Sequence, residues 1–185
     1  MTRHPQILDR NNSTLLIVDV QEKINSVQMQ GELVVSSILK LIQTCKLLNV
    51  PILITEQYPR GLGPTEPEIL DALKESNIVQ KMSFSCCGSD QWVSQLRDLN
   101  RKQIILAGIE THVCVQQTAL DLLEMGFQVH IPKDAVSSRK RLDYETSLQR
   151  MSLAGAILTT IESVLFELLE EAGTPEFKQI SNLIK

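Results

Sequence analysis

Short runs that are apolar at nearly every position alternate along this chain with longer stretches in which apolar residues recur every three or four positions. The runs lie at 14–18 (Thr14-Leu15-Leu16-Ile17-Val18), 52–55, 78–81, 103–107, 127–131 and 157–159. Continuous β-branched runs of this length predict strands covered on both faces. Helical spacing is clearest at 32–48, through Leu33, Val34, Ile38, Leu41, Ile42 and Cys45, and Asn49-Val50-Pro51 breaks it. Further helices are predicted at 68–74, 90–99, 116–125, 144–153 and 163–172, with Gly126 closing the third of these. A loop rich in Gly and Pro separates the second strand from the helix at 68–74. Six strands joined by helices predict an α/β fold: a three-layer α/β/α with a six-stranded parallel sheet and right-handed crossovers. The tail 173–185 carries Phe177, Ile180, Leu183 and Ile184, and is expected either to dock on a neighbour or to fray.

Composition narrows the class. A length of 185 residues suits a single domain over 1–185, and 43% apolar with 22% charged residues is ordinary for a globular protein. The formal net charge is −4 with no basic stripe, so no nucleic-acid partner is expected. Residues 1–13 are polar, and no apolar run approaches spanning length, so neither a secretory signal nor a membrane partner is expected. The four cysteines, Cys45, Cys86, Cys87 and Cys114, match neither a zinc site nor a disulfide framework. Reduced thiols point to a cytoplasmic protein.

Open α/β sheets bind ligands beyond the carboxyl ends of their strands. Asp19 ends the first strand, Lys81 ends the third, and Gly108-Ile109-Glu110-Thr111-His112-Val113-Cys114-Val115 follows the fourth. Thr111 reads as a helix N-cap, which puts Cys114 at the third helical position. There the helix dipole is expected to lower the thiol pKa, and free backbone N–H groups are placed to stabilise an oxyanion. Asp19 would take the thiol proton and return it to a leaving group, with Lys81 holding both in ionised form. Each residue also has a plain reading: a cap, a surface lysine, a small core thiol. Their shared placement at one sheet edge favours the joint reading. Gln57, Tyr58 and Phe84 are expected to line the substrate pocket, loop packing being the alternative. Trp92 and Cys45 read as core, and Cys86 and Cys87 as packing. Gly88 and Gly108 read as backbone-geometry positions. His112 reads as structural, because helix neighbours do not face each other. Asp134 and Arg139 are expected to form a loop-fixing ion pair.

The segments Leu16-Ile17-Val18-Asp19-Val20-Gln21, Lys81 with Phe84, 108–114, and Asp134-Ala135-Val136-Ser137-Ser138-Arg139 together resemble the isochorismatase-like cysteine hydrolases, over about residues 14 to 169. The resemblance implies a doubly wound six-stranded fold and a catalytic triad of Asp19, Lys81 and Cys114. It implies a non-proline cis peptide between Ile109 and Glu110, aiming the amides of Glu110 and Cys114 at an oxyanion. It also implies a homo-oligomer acting on a small-molecule substrate. Nicotinamidases of that family hold a metal through Asp and His after the second strand. Here 55–63 contains no histidine, and His4, His112 and His130 are scattered, so no metal and no other cofactor is expected. The expected function is C–N (amide) hydrolysis through a Cys114 thioester. The alternatives are vinyl-ether hydrolysis by Asp19 without the thiol, and a non-enzymatic binding or scaffold module.

Overall fold

The first strand, β1 (Ser13–Val18), is buried at all six positions, and its alternating side chains feed two separate cores. Leu15 and Ile17 enter one; Leu16 and Val18 enter the other. A strand with two buried faces must be central, and the computed structural model, which describes residues 3–74 and 77–184, places it there. The strand order is β3 (Ile78–Lys81), β2 (Ile52–Gln57), β1, β4 (Gln103–Ile109), β5 (Gln128–Pro132), β7 (Ile157–Thr159). All pairings between these strands are parallel. The expected six strands are present, and the two-residue β6 (Val136–Ser137) adds a seventh beside the end of β4.

On one face α2 (Gly31–Leu47), α4 (Pro67–Leu73), α8 (Ile161–Leu169) and α9 (Pro175–Leu183) bury their apolar sides. On the other lie α5 (Asp90–Asp98), α6 (Gln116–Glu124) and α7 (Arg141–Leu153), with Trp92, Leu96, Leu122 and Met151 inside. The one-turn helices α1 (Glu22–Asn25) and α3 (Pro59–Leu62), which periodicity cannot detect, flank the carboxyl edge of the sheet. Among the described residues no helix is long and apolar enough to cross a membrane.

Of the two expectations for the tail, the structure takes docking: α9 packs on its own chain. Thr174 accepts the Phe177 N–H as a side-chain cap, Pro175 starts the helix, and Ile180 is fully buried in the α2/α8 core. The Phe177 ring packs at 6.3 Å from that of Phe166.

Chain order switches direction between β1 and β4, and a crevice at the carboxyl ends of such a pair is where this architecture holds ligands. Gly108 lets the two strands meet there. It sits at φ +124°, and a Cβ on it would lie 2.1 Å from the Val18 carbonyl oxygen. Gly108→Ala is expected to cost roughly 3 kcal/mol or more from the clash and the backbone conformation combined. On a domain of this size that lowers the melting temperature by roughly 6–12 °C. A thermal melt checks it; an unchanged midpoint would mean the strands can separate freely at this point.

Candidate active site

Three strand ends converge on one buried cluster. Asp19 follows β1, Lys81 ends β3, and Cys114 lies in the turn after β4. β3 is separated from β1 by β2, so strand spacing alone leaves the Lys81 backbone about 9–10 Å from that of β1. The lysine stem crosses this gap over β2. Its Nζ donates to Asp19 Oδ2 at 2.6 Å, to Gln57 Oε1 at 2.8 Å, and to the carbonyls of Phe84 and Ser83 at 3.0 and 3.1 Å. An ammonium has three protons for these four acceptors, so the head group is fully committed. The side chains of Lys81 and Asp19 are 0% and 3% exposed.

Asp19 is held on every side. Its backbone lies in the left-handed region, φ 52°, pinned by its N–H to the Thr55 carbonyl and by Gln21 N–H on its own carbonyl. Thr55 Oγ1 donates to Oδ1 at 2.8 Å, Lys81 takes Oδ2, and the Cys114 thiol lies close enough to act on the same carboxylate. Burial raises the Asp19 pKa, against the opposing pull of Lys81, Thr55 and Cys114. For Lys81 burial pulls the pKa down, but Asp19 and the nearby thiols outweigh it and the net shift is upward. The pair is an ammonium against a carboxylate in a dry site.

The thiol differs from the sequence-based expectation in two respects. Its turn, Thr111–Val115, is a π turn: Val115 N–H reaches back five residues to the Glu110 carbonyl. Glu110, extended at φ −82° and ψ 141°, occupies the cap position. Thr111 therefore caps nothing, and its hydroxyl is buried without a hydrogen-bond partner among the described residues. Second, the Cys114 pKa is raised, not lowered. Burial contributes most and the Asp19 carboxylate adds to it, while Lys81 opposes them without prevailing. The resting thiol is neutral and lies beside the Asp19 carboxylate. A thiol beside a carboxylate that a third group orients is the arrangement that a nucleophile and its base require.

The peptide bond between Ile109 and Glu110 is cis. Glu110 then turns its buried side chain toward Arg139 Nε at 2.8 Å and Gln28 Nε2 at 3.3 Å. This overturns the expected Asp134–Arg139 pair. Arg139 reaches Glu110 because β6 sets Ser137 against Ile109, whereas Asp134 accepts the Ile161 N–H at the start of α8. His112 Nδ1 bonds Ser138 Oγ at 3.0 Å, tying the thiol turn to the same loop in a structural role.

The expected pocket residues divide. Gln57 is buried, and both ends of its amide are engaged, the oxygen by Lys81 and the nitrogen by the Met82 carbonyl. In this arrangement the Gln57 amide holds Lys81 in place. Gln21 in turn bonds Gln57 N–H and the carbonyls of Gln57 and Gly63, latching the 57–63 loop. Tyr58 and Phe84 are about half exposed at the same edge. Cys114 is only 6% exposed. A cleft of about 670 Å³ lined by Met29, Lys133, Arg141, Tyr144 and Leu158 includes none of Asp19, Lys81 and Cys114. Sequence reasoning missed Thr55, Gln21 and Gln28. Gln21 closes the 16–21 segment that carries the resemblance but had no role assigned to it; for Thr55 the run of polar residues ending β2, Thr55-Glu56-Gln57, was the available signal, because polar side chains on a central strand need partners.

Residues 13–163 match the isochorismatase domain model. Isochorismatase domain-containing protein 2 of Danio rerio is 43% identical over 179 residues, covering 96% of this chain and 89% of that protein. The structure of MAR1 ribonuclease from Caenorhabditis elegans superposes with a TM-score of 0.90 at 39% identity, over 96% of this chain and 91% of the other. The YcaC gene product of Escherichia coli, described as an octameric hydrolase of unknown specificity, gives 0.91 at 26% identity, over 98% and 92%. Fold and sequence agree, and the chain belongs to the isochorismatase family of hydrolases.

Proposed function

We propose that this protein hydrolyses a small amide through a thioester on Cys114. The observation that carries the reading is the buried cluster at one sheet edge in which Asp19, ion-paired to Lys81 at 2.6 Å, lies beside the buried Cys114 thiol. Cys114 Sγ attacks the substrate carbonyl carbon as its proton passes to Asp19. The backbone amides of Glu110 and Cys114 receive the developing oxyanion. The tetrahedral adduct collapses, the C–N bond breaks, and Asp19 returns the proton to the leaving nitrogen. Water, deprotonated by Asp19, then attacks the thioester; the acid leaves and the thiol is restored. Lys81 keeps the carboxylate oriented and charged whenever the proton is elsewhere. Burial favours this arrangement, because it strengthens each charge interaction and limits competing water.

RNA is not part of this reading: the net charge is −4 and no basic stripe is present. A homo-oligomer is part of it, supported by the octameric relative and by exposed apolar side chains such as Met82, Leu142 and Leu153.

The test is acid quench during turnover of a panel of short acyl amides, followed by peptide mass spectrometry. An acyl adduct confined to Cys114, formed in step with amine release, is the expected result. Amide turnover that depends on Asp19 yet never loads Cys114 would overturn the thioester in favour of direct attack by water with Asp19 as the base; a panel in which no amide turns over, but a vinyl ether is cleaved in an Asp19-dependent way, would move the assignment to vinyl-ether protonation by Asp19.

A further inference from the structure

Behind the triad, on the side away from Lys81, a second chain of hydrogen bonds ends on the same carboxylate. Thr55 Oγ1 lies 2.8 Å from Asp19 Oδ1 and 3.7 Å from Cys86 Sγ. The proton count fixes the direction. An ionised Asp19 has no proton to give, so the single Thr55 proton goes to it, and the Cys86 S–H must be the donor to Thr55. Both residues are fully buried, on β2 and on the short turn Cys86–Gly88. Cys86 is locked from the other side by its backbone N–H on Thr118 Oγ1 at 3.0 Å, one helical turn beyond Cys114. Burial pushes the Cys86 thiol up to about 12, so it stays a donor throughout the working range.

We propose that Thr55 is a positioning residue for the general base: its hydroxyl, braced by the Cys86 thiol, fixes the Asp19 carboxylate plane and keeps it charged opposite Cys114. The proposal rests on the reading of Asp19 as the base. The groups facing that carboxylate are Lys81 from β3, Thr55 from β2 and Cys114 from the π turn, with Cys86 behind Thr55. Lys81 supplies charge, but it binds Oδ2 alone. Thr55 is the group that stops the carboxylate rotating about that contact and directs it at the thiol.

The test is carbon NMR of protein labelled at the aspartate carboxyl carbons, with the Asp19 signal identified by its loss in Asp19→Asn. The apparent Asp19 titration is expected to move up by roughly one to two pH units in Thr55→Val, which keeps the shape and removes the donor. Thr55→Ser is expected to restore it, and Cys86→Ala to give a smaller upward shift. The acid limb of kcat/KM should follow the NMR titration in each variant. An unmoved Asp19 titration in Thr55→Val, or no recovery in Thr55→Ser, overturns the proposal. Should Thr55→Val fail to fold, an unmoved titration in Cys86→Ala overturns it instead. If the NMR titration shifts and the kcat/KM limb does not, Thr55 keeps its role and the assignment of Asp19 as base falls.

Discussion

Asp19→Asn is expected to abolish turnover and, at the same time, to make Cys114 react faster with iodoacetamide. The loss of turnover follows from removing the group that takes and returns the proton, an effect on the order of a thousandfold or more. The gain in alkylation follows from the charges around the thiol. In the wild type, burial and the Asp19 carboxylate both hold the proton on sulfur, and only Lys81 favours the thiolate. Asparagine deletes the negative charge and leaves the ammonium beside the sulfur. The thiol pKa then falls, so the thiolate fraction at neutral pH rises. Alkylation at pH 7 is expected to accelerate at least about tenfold, because each pKa unit changes that fraction by the same factor while nucleophilicity declines only partially. Rates read by peptide mass spectrometry across pH check both halves. Slower labelling in the variant would mean that the carboxylate activates the resting thiol, and the assignment of a neutral Cys114 would fail.

Lys81→Met is expected to destabilise the protein by roughly 3–5 kcal/mol at neutral pH, as is typical when one partner of a buried ion pair is removed. That corresponds to a melting temperature lower by on the order of 10 °C. Methionine fills much of the same space, so the cost is electrostatic: Asp19 keeps Thr55 but loses its counter-charge. Gln57 Oε1 and the carbonyls of Ser83 and Phe84 also lose their donor. The sign with pH is distinctive. Burial already raises the Asp19 pKa, and without Lys81 it rises further. Between the unfolded carboxyl value near ~3.9 and that raised folded value, the folded chain binds the extra proton, so stability falls as pH rises. Relative to wild type, the variant should therefore recover stability on acidification through that window. Paired denaturation curves at pH 5 and pH 8 measure it. A penalty independent of pH would assign the loss to packing rather than to a stranded carboxylate.

Much of the fold is legible in the chain because the strands are buried on both faces. A run such as Leu15-Leu16-Ile17-Val18 has no solvent side, and β3 and β7 fall on the expected residues. Where the reading stopped short, polar residues ended the apolar run before the strand ended. β2 continues through Glu56 and Gln57 because Thr65 satisfies the Glu56 carboxylate, while Lys81 and the Met82 carbonyl satisfy the Gln57 amide, partners that no local pattern can announce. The π turn escaped for a related reason: Thr111 has the chemistry of an N-cap, but the chain geometry after Gly108 gives the cap position to Glu110. Arg139 found Glu110 instead of Asp134 through the pairing of β6 with β4, which spans 28 positions of sequence at Gly108 and Val136.

By itself the sequence determined the layers, the strand order's parallel character, and the identity of three reactive residues at strand ends, since each depends on local periodicity and on residue type. Tertiary structure alone decided their electrostatic state. Helix-end reasoning lowers the Cys114 pKa, whereas burial and an ionised neighbour raise it. Desolvation and the distance to Asp19 and Lys81 exist only after β1, β3 and β4 have been brought to one crevice, and in a dry site those two quantities outweigh the field of a single turn of helix.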